Sequence, residues 1–349
     1  MSSLVGSARG IADRRRDVPG VDVENRLGRL SVIVVNFNYE KYVGTAIESA
    51  LGIEHDDLEV VVVDDGSTDG SRAVIDRYRG RVRTHLAANS GQRAAANTGF
   101  ALSTGDVVVF LDSDDVLPSD LAVRLAEVWR PGVSKAQFRM QRIDSDGVPT
   151  GSPFPAYARV PSSDDIRRWM TATSAYPTPP GSGNAYAREF LEQILPVGPE
   201  IGSSMDSACL AAAPLLGDVV CVPEVTVGYR RHGENDSNLL ADGDRFRREV
   251  ERARARWRFV RGLPADDRPL YRSRELLQLR VSAHRVSRGG SPLPGDTRRR
   301  LLRDALRTPF YSGPETVFRR LMIAGWAVAA LCVPDLAVFR LLELRYGVS

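Results

Sequence analysis

The chain has 349 residues, 43% hydrophobic and 26% charged, a composition that is typical of a globular protein and excludes wholesale disorder. Its net charge of +3 at pH 7 excludes a histone-like or a polyacidic chain, and we expect no nucleic-acid partner. Three scattered cysteines, Cys209, Cys221 and Cys332, are too few for a disulfide framework or a zinc knuckle. They favour a reduced compartment.

The first 28 residues differ in composition from the rest of the chain. They are rich in Gly, Ser, Arg and Asp without an apolar period, and we predict a flexible leader over residues 1–28. The first residues also lack the apolar core of a signal peptide, so we expect a cytoplasmic protein. The element pattern then divides the remainder into residues 29–130, 131–240 and 241–349.

Apolar runs alternate with helical patterns over residues 29–130. Strands are predicted over 30–35, 58–63, 81–86 and 106–111, and helices over 42–51, 71–78, 92–102 and 119–129. Strands that are apolar throughout are buried on both faces of their sheet. Their alternation with helices predicts an α/β fold with a doubly wound, mostly parallel sheet flanked by helices.

The pattern is less regular in the later segments. Residues 145–200 are rich in Pro, Gly and Ser, and we predict loops there that shape a pocket rather than a second core. The C-terminal segment is helical and Arg-rich, and one of its helices has an apolar seam formed by Phe246, Val250, Ala253, Trp257 and Val260. An uncharged apolar run over 321–333 is shorter than the ~20 residues that span a bilayer.

Polar residues follow three of the predicted strands. They are Asn36 and Asn38, then Asp64 and Asp65, and finally Asp112, Ser113, Asp114 and Asp115. In an open parallel sheet, ligands bind beyond the carboxyl ends of the strands, where the strand order reverses. Two acidic turns on one rim repel each other unless they meet a cation or hydrogen-bond donors. This arrangement predicts a hard divalent ion that also takes substrate phosphates.

Four sequence motifs occur in order along this part of the chain. They are SVIVVNFNY at 31–39, EVVVVDDGSTDGS at 59–71, NSGQRAAANTG at 89–99 and GDVVVFLDSDD at 105–115. In this order they resemble the motifs of the family 2 inverting glycosyltransferases, which have the GT-A fold. The resemblance covers roughly residues 30–240, and four ordered motifs are far more specific than any one of them.

The resemblance implies a site for a nucleotide-diphosphate sugar. Phe37 would lie against the nucleobase, Asp65 would accept a hydrogen bond from it, and Asp112 would face the ribose. Asp114 would be the main ligand of Mg²⁺ or Mn²⁺, and Asp115 would share either task. UDP is the favoured nucleotide and dTDP the second, because the Asp65 carboxylate can accept from the ring N–H of either base.

A downstream string, IGSSMDSACLA at 201–211, resembles the segment in which this family places its catalytic base. Asp206 would take the proton of the acceptor hydroxyl while that oxygen displaces the nucleotide from the opposite face, which inverts the configuration. Met205 stands where the family usually has Glu. Alternatively, Asp206 only favours the start of a helix through the macrodipole, and the base is Glu200 or Asp218.

Two further sequence segments resemble motifs of this family. GYRRHGENDS at 228–237 resembles a family segment that would close over the diphosphate, with His232 reaching the metal or a phosphate; the alternative is a structural histidine. Arg256 and Trp257 resemble the end of the Gln-x-x-Arg-Trp motif of processive synthases. Ala253 takes the place of the Gln, so we predict transfer of one sugar per encounter.

These motifs predict a metal-dependent inverting glycosyltransferase of the hexosyl type. It would move one sugar from a UDP-sugar to a hydroxyl of a saccharide or lipid-linked acceptor in cell-surface glycan synthesis. One alternative is a nucleotidyltransferase on a related sheet, which would need a Gly-rich, Lys-bearing phosphate loop where the chain has residues 36–39. The other is a binding protein without catalysis, which the presence of Asp65, Asp112, Asp114 and Asp206 disfavours.

The resemblance also assigns roles to the segments of the chain. Residues 29–130 would bind the nucleotide sugar, and 131–240 would bind the acceptor as the other half of one GT-A domain. Residues 241–349 would be a helical, Arg-rich extension. Its basic helix near 245–261 is either a solvated face or, with the run 321–333, a peripheral contact with the inner face of the membrane. A buried C-terminal helix explains the apolar run equally well.

Overall fold

The computed structural model describes residues 27–157, 159–201, 205–232, 244–261, 266–287 and 293–346. The predicted leader therefore lies outside the described residues, except for Leu27 and Gly28. Leu27 is buried in the main core. The folded part of the molecule thus already includes the last residues that we assigned to the leader.

The described residues form an eight-stranded sheet. Its strands are β1 (Leu30–Asn36), β2 (Leu58–Asp64), β3 (Arg83–Leu86), β4 (Val107–Asp112), β5 (Val133–Ile143), β6 (Pro149–Phe154), β7 (Asn184–Ala187) and β8 (Asp218–Arg230). The strand order is β3-β2-β1-β4-β7-β5-β6, and β8 also pairs with β5. Strands β1 to β4 run parallel to one another, whereas β7 runs antiparallel to both β4 and β5. The prediction of a mostly parallel sheet is confirmed.

Three helices connect the parallel strands β1 to β4: α1 (Val43–Leu51), α2 (Ser71–Asp76) and α3 (Gln92–Leu102). A fourth helix, α4 (Leu121–Val128), follows β4. Alternate residues of β1 and β2 lie in two different cores. Val32 and Val34 pack with α1 in one core, whereas Ile33 and Val61 pack with α3 in the other. The strands are continuously apolar because a helix covers each face of the sheet.

The prediction of loops over residues 145–200 is wrong for about half of that segment. It contains β6, β7, and the helices α5 (Ser163–Thr173) and α6 (Arg188–Leu191). Helix α5 begins with a capping box, in which Ser162 and Asp165 exchange side-chain-to-backbone hydrogen bonds. The Pro-rich stretch that remains a loop is short, and it leads directly into β7 in the middle of the sheet.

The C-terminal part is helical, as predicted. Its helices are α8 (Asp244–Arg261), α9 (Arg268–Arg272), α10 (Arg274–Val286), α11 (Arg298–Arg307), α12 (Val317–Cys332) and α13 (Asp335–Tyr346). Helix α7 (Asp206–Leu216) comes earlier in the chain, before β8. In the seam of α8, Phe246, Val250 and Trp257 are buried. Within the described ranges, every helix is too short or too polar to cross a membrane.

The apolar run 321–333 has two different faces. On α12, Ala327 and Ala330 are fully buried against α10 and α11. Leu321 and Met322 on the other face are 55% and 59% exposed. The interpretation as a buried helix is therefore correct for one face only.

Candidate active site

Strand register brings the polar residues after β1, β2 and β4 to one level of the sheet. Asn36 lies beside Asp64 of β2, and Val35 lies beside Asp112 of β4. Strand order reverses at β1, since β2 is its neighbour on one side and β4 on the other. The rim predicted from the sequence is thus the switch point at which α/β sheets bind ligands.

Asp64 holds the turn after β2. Its side chain is buried and accepts hydrogen bonds from Asn36 Nδ2 at 2.9 Å, the Ser67 backbone N–H at 3.1 Å and Arg72 Nε at 2.8 Å. Burial alone would raise the pKa of Asp64, but the hydrogen bonds from Ser67, Arg72 and Asn36 outweigh burial and lower it. These contacts indicate that Asp64 stabilises the turn after β2.

A cleft of about 550 Å³ opens at this rim. It is lined by Val35, Phe37, Tyr39, Asp65, Asn89, Gly91, Gln92, Asp112, Ser113, Asp114 and Tyr229. Four of these are residues that we predicted to bind the nucleotide or the metal. Phe37 is 41% exposed, so the face of its ring is available to a planar ligand.

Asp65 lines the cleft and supports the start of α3. Its two carboxylate oxygens accept hydrogen bonds from the Ser90 and Gly91 backbone N–H groups, each at 2.8 Å. Gly91 has φ +87°, a conformation that favours glycine, so the turn places both donors on one carboxylate. Each oxygen keeps a second lone pair for a ligand. The hydrogen bond from Asp65 to a nucleobase stays a prediction.

Asp112 ends β4 at the floor of the cleft. Gln92 Nε2 donates to its Oδ1 at 2.9 Å. Burial, and then the charges of Asp114 and Asp206, raise the pKa of Asp112 to about 7. We did not identify Gln92 from the sequence. The available signal was its place at the start of α3, within the third motif.

Asp114 and His232 come together beside the cleft. His232 Nε2 lies 3.1 Å from Asp114 Oδ2, and both side chains are mostly buried. The His232 ring stacks on Tyr42, with centroids 5.2 Å apart, and meets the edge of Tyr39. Arg230 Nε donates to the Asp114 carbonyl at 2.9 Å and holds the loop in place. The structure thus brings together two residues that are predicted to bind the metal. One follows β4 and the other follows β8, which are far apart in sequence.

Asp115 ties the acidic loop to β8. It is 1% exposed, and its Oδ1 accepts from the Arg230 backbone N–H at 3.0 Å. Burial and the charges of Asp112 and Asp114 raise the pKa of Asp115 well above its usual range. This contact supports the fold of the loop, and its predicted share in binding stays a prediction.

The donor set of the acidic loop fits a divalent cation. Burial, and then repulsion among three carboxylates within four residues, raises the pKa of Asp112 and of Asp115, and a bound cation would relieve the repulsion. Among the described residues, no group of three or more His, Cys, Asp or Glu side chains is placed to hold a metal. Asp114, with His232 beside it, would therefore hold the ion together with waters and substrate phosphates, since Mg²⁺ usually keeps several waters and binds through one or two carboxylates.

Asp206 begins α7 and faces the same rim. Its Oδ2 accepts a hydrogen bond from the Gly181 backbone N–H at 3.1 Å. A Cβ atom on Gly181 would lie only 2.8 Å from Asp112 Oδ2, and the Asp112 N–H donates to Ser182 Oγ at 3.0 Å. The loop before β7 therefore lies between the two carboxylates and contacts both.

The pKa of Asp206 is raised by burial. The backbone N–H groups of Gly181 and Ser207 oppose this shift, as do the charges of Arg256 and Lys135. A carboxylate with a raised pKa is a stronger base, which suits a residue that accepts a proton.

Lys135 braces this loop from β5. It is fully buried, and its Nζ donates to Gln137 Oε1 at 3.0 Å, Thr178 Oγ1 at 2.8 Å and Asn184 Oδ1 at 2.9 Å. Asn184 Nδ2 in turn donates to the Gly181 carbonyl at 3.1 Å. We did not identify Lys135 from the sequence. Its rarity was a signal, since the chain has only two lysines and otherwise uses arginine.

Helix α8 contributes the second cation near Asp206. Burial raises the pKa of Asp206, and the charge of Arg256 offsets part of that rise. Burial also lowers the pKa of Arg256 itself. The neighbouring Trp257 is 3% exposed and donates its Nε1–H to the Asp266 carbonyl at 2.9 Å. Trp257 thus belongs to the predicted apolar seam. The sequence assigned no role to Arg256 beyond its resemblance to a motif of processive synthases, whereas the structure places its charge near Asp206.

The remaining candidates lie elsewhere. Asp218 makes ion pairs with Arg130 at 2.9 Å and Arg167 at 3.0 Å at the start of β8. Asn97 exchanges hydrogen bonds with the Val197 backbone. Residues 233–237 of the last motif lie outside the described residues, and so does the side chain of Glu200.

The fold and the cleft define an α/β protein with an acidic ligand site at the switch point of its sheet. Residues 31–195 match the model of glycosyl transferase family 2, and this segment of the chain belongs to that family. The mannosyltransferase PcManGT from Pyrobaculum calidifontis, solved in complex with GDP-Man and Mn²⁺, is similar with a TM-score of 0.51 and 20% identity. That match covers 92% of this chain and 82% of PcManGT, and it confirms the GT-A type of fold.

Two curated relatives show the extent of the similarity. The uncharacterized glycosyltransferase alr2836 of Nostoc sp. is 35% identical over 215 residues, which are 60% of this chain and 66% of that protein. Chondroitin synthase of Escherichia coli is 33% identical over 141 residues, which are 38% of this chain and 21% of that protein. The chain thus spans less than two thirds of the length of either relative.

Proposed function

We propose that this chain is a metal-dependent inverting glycosyltransferase. It transfers one hexosyl residue from a nucleotide-diphosphate sugar to a hydroxyl of a saccharide or lipid-linked acceptor. One observation carries this proposal: the loop before β7 joins Asp112, on the rim of the cleft, to Asp206 through Gly181 and Ser182. A donor site and a candidate base are thereby held within reach of one sugar.

The donor half of the mechanism uses residues 29–130. The ring of Phe37 stacks on the nucleobase, Asp65 accepts its ring N–H, and Asp112 accepts from the ribose. Asp114 and His232 would hold Mg²⁺ or Mn²⁺. The divalent ion, when bound, neutralises the diphosphate and the charge that grows on it as it leaves.

The acceptor half uses residues 131–240. Gly181 holds one oxygen of Asp206, and the carboxylate takes the proton of the acceptor hydroxyl. The acceptor oxygen forms its bond to the anomeric carbon as the bond from that carbon to the diphosphate oxygen breaks. Attack from the face opposite the leaving nucleotide inverts the configuration.

We propose a UDP-sugar as the donor and a cell-envelope polysaccharide as the product. We favour UDP-sugars because of the carboxylate of Asp65, although PcManGT was solved with GDP-Man on a similar fold. The similarity to chondroitin synthase supports a role in polysaccharide synthesis for the cell envelope. A cytoplasmic location stays a prediction.

The turn after β1 disfavours a nucleotidyltransferase. The Asn38 N–H donates to Ser67 Oγ at 2.9 Å, and Asn38 Oδ1 accepts from the Thr68 N–H at 2.8 Å. These contacts close the turn against the turn after β2. It is therefore not a Gly-rich loop whose free N–H groups could cradle phosphates.

A nucleotide-sugar panel tests the proposed function. Nucleotide release is measured with UDP-, dTDP- and GDP-sugars, with EDTA and after restoring Mg²⁺ or Mn²⁺, and NMR of the product reads the anomeric configuration. We expect release from a UDP-sugar, loss of activity in EDTA, and a product of opposite configuration to the donor. Full activity in chelator would exclude the metal role, and tighter binding of GDP than of both pyrimidine nucleotides would overturn the donor preference.

A further inference from the structure

Six large apolar side chains are exposed where α11 ends and α12 begins. Their exposed fractions are 65% for Leu306, 85% for Phe310, 67% for Val317, 73% for Phe318, 55% for Leu321 and 59% for Met322. We call these six residues the apolar patch. Contiguous apolar surface of this kind usually marks an interaction site.

Helical spacing places the patch on one outer surface. Val317, Phe318, Leu321 and Met322 are one and four residues apart, so they share one face of α12. Leu306 and Phe310 are four residues apart across the end of α11 and the turn that follows it. The opposite face of α12 packs into the core with α10 and α11.

The turn between the two helices is firmly held. Arg274 is 4% exposed and donates to the Thr308 carbonyl at 3.1 Å and to Glu315 Oε2 at 2.8 Å. Arg320 donates to the Gly313 carbonyl at 2.6 Å and to the Glu315 carbonyl at 2.9 Å. Phe310 is therefore presented beside the start of α12 by a braced turn, not by a frayed helix end.

The patch is surrounded by positive charge. Residues 298–332 contain seven arginines and two acids, Asp304 and Glu315. Arg280 binds Asp304 at 2.8 Å and Arg274 binds Glu315 at 2.8 Å, so cations from outside the segment neutralise both acids. The arginines exposed at this surface are Arg298, Arg299, Arg303, Arg307 and Arg319.

We propose that this surface docks on an anionic lipid bilayer. The apolar patch enters the boundary between headgroups and acyl chains, and the arginines contact lipid phosphates. Helix α12 has 16 residues, or about 24 Å at 1.5 Å per residue, so it lies on the bilayer rather than across it. A symmetric pairing of two copies is disfavoured, because it would bring like-charged arginine rims together.

The docking gives the proposed transferase a position beside lipid-linked acceptors, and to that extent it rests on the proposed function. The binding itself requires neither donor nor transfer. Helix α10 packs against both α8, which carries Arg256, and α12, which carries most of the patch. The membrane face and the candidate active site thus share one rigid helical support.

Vesicle co-sedimentation of the full chain tests this proposal. Vesicles of phosphatidylcholine alone are compared with vesicles that also contain phosphatidylglycerol, at low and high salt. We expect binding to the anionic vesicles that weakens with salt. The double variant Phe318→Ser/Leu321→Ser should bind at least tenfold more weakly, and Arg303→Gln/Arg307→Gln should lose the preference for anionic lipid. Val148→Ser, which is 56% exposed in the unmodified chain and far from the segment, is the matched control.

The results distinguish a lipid surface from a second copy of the chain as the partner of the apolar patch. Equal binding to both vesicle types, or full binding by the Phe318→Ser/Leu321→Ser variant, would overturn the proposal. Light scattering that finds a dimer, dissociated by Phe318→Ser/Leu321→Ser, would assign the surface to a second copy instead. Nucleotide release with a water-soluble acceptor should be the same for this variant and the unmodified chain. A chain that binds vesicles but transfers no sugar would refute the proposed function alone.

Discussion

At the scale of single residues, the site depends on two carboxylates with different neighbours. Asp112 lies at the cleft with Gln92, whereas Asp206 lies at a helix start and is held by Gly181. Gly181 lies between them, and a Cβ at that position would contact the Asp112 carboxylate. The arrangement allows Asp112 to bind the nucleotide and Asp206 to accept a proton.

Asp206→Asn distinguishes a base from a binding residue. The amide keeps the size and shape of the carboxylate but cannot take a proton, so turnover should fall by roughly 10²–10⁴. Donor KM and nucleotide affinity should change little, because Asp65 and Asp114 line the cleft and Asp206 does not. Steady-state kinetics and calorimetry with UDP and Mn²⁺ measure both effects.

Asp114→Asn is the matched variant for that experiment. It removes charge beside His232, so donor affinity should fall together with turnover. Near-normal turnover of Asp206→Asn would show that Asp206 only starts α7. The base would then have to be sought at Glu200, because Asp218 is engaged with Arg130 and Arg167.

At the scale of elements, the loop before β7 connects the two halves of the site. It carries Thr178, Gly181 and Ser182, and it is followed at once by a strand that inserts between β4 and β5. Lys135 of β5 donates to Thr178 and Asn184 at the two ends of this loop. The position of Asp206 therefore depends on the buried amine of Lys135. The three hydrogen bonds that Lys135 donates all go to neutral side chains.

Lys135→Met tests this positioning role. The substitution keeps the length of the side chain but leaves buried acceptors without their donor, which should cost about 1–3 kcal/mol of unfolding free energy. Turnover should fall while UDP affinity in the presence of Mn²⁺ is kept, because the nucleotide rim is formed by other elements.

Thermal unfolding, kinetics and calorimetry measure these three effects. Lys41→Met is the control, since Lys41 is the other lysine and is exposed. Loss of stability with unchanged turnover would leave Lys135 a purely structural residue.

At the scale of the whole molecule, the C-terminal helices complete the site. Helix α8 brings Arg256 close enough for its charge to affect Asp206, and α8 is supported by α10. Residues 241–349 therefore contribute to the electrostatics of the centre as well as to the outer surface. We propose that the donor half, the acceptor half and this extension act as one unit.

Arg256→Met should change the pH dependence of transfer. The positive charge favours the ionised form of Asp206, so its removal raises the pKa of Asp206 further. The acidic limb of kcat/KM against pH should then move to higher pH, since the base must be deprotonated to act.

Arg258→Met, on the same helix but paired with Asp267 at 3.1 Å, should leave the limb in place. A profile for Arg256→Met that matches that of the unmodified chain would mean that α8 does not influence the base.

The sequence by itself determined the parallel half of the fold and the rim at its carboxyl edge. Val32 and Ile33 predict a strand buried on both faces, and the polar residues after β1, β2 and β4 meet because parallel strands end at one edge. The order of the motifs then pointed to Phe37, Asp65, Asp112 and Asp114, and all four line one cleft.

Only the tertiary structure decided how that rim meets the rest of the chain. Strand β7 has four residues and no distinctive pattern, so its place between β4 and β5 comes from pairing with strands distant in sequence. The contacts of Gly181 with Asp112 and Asp206, and the charges of Lys135 and Arg256 near Asp206, join residues far apart in the chain. Local periodicity reports burial and secondary structure, whereas such contacts exist only once the sheet and the helices have packed.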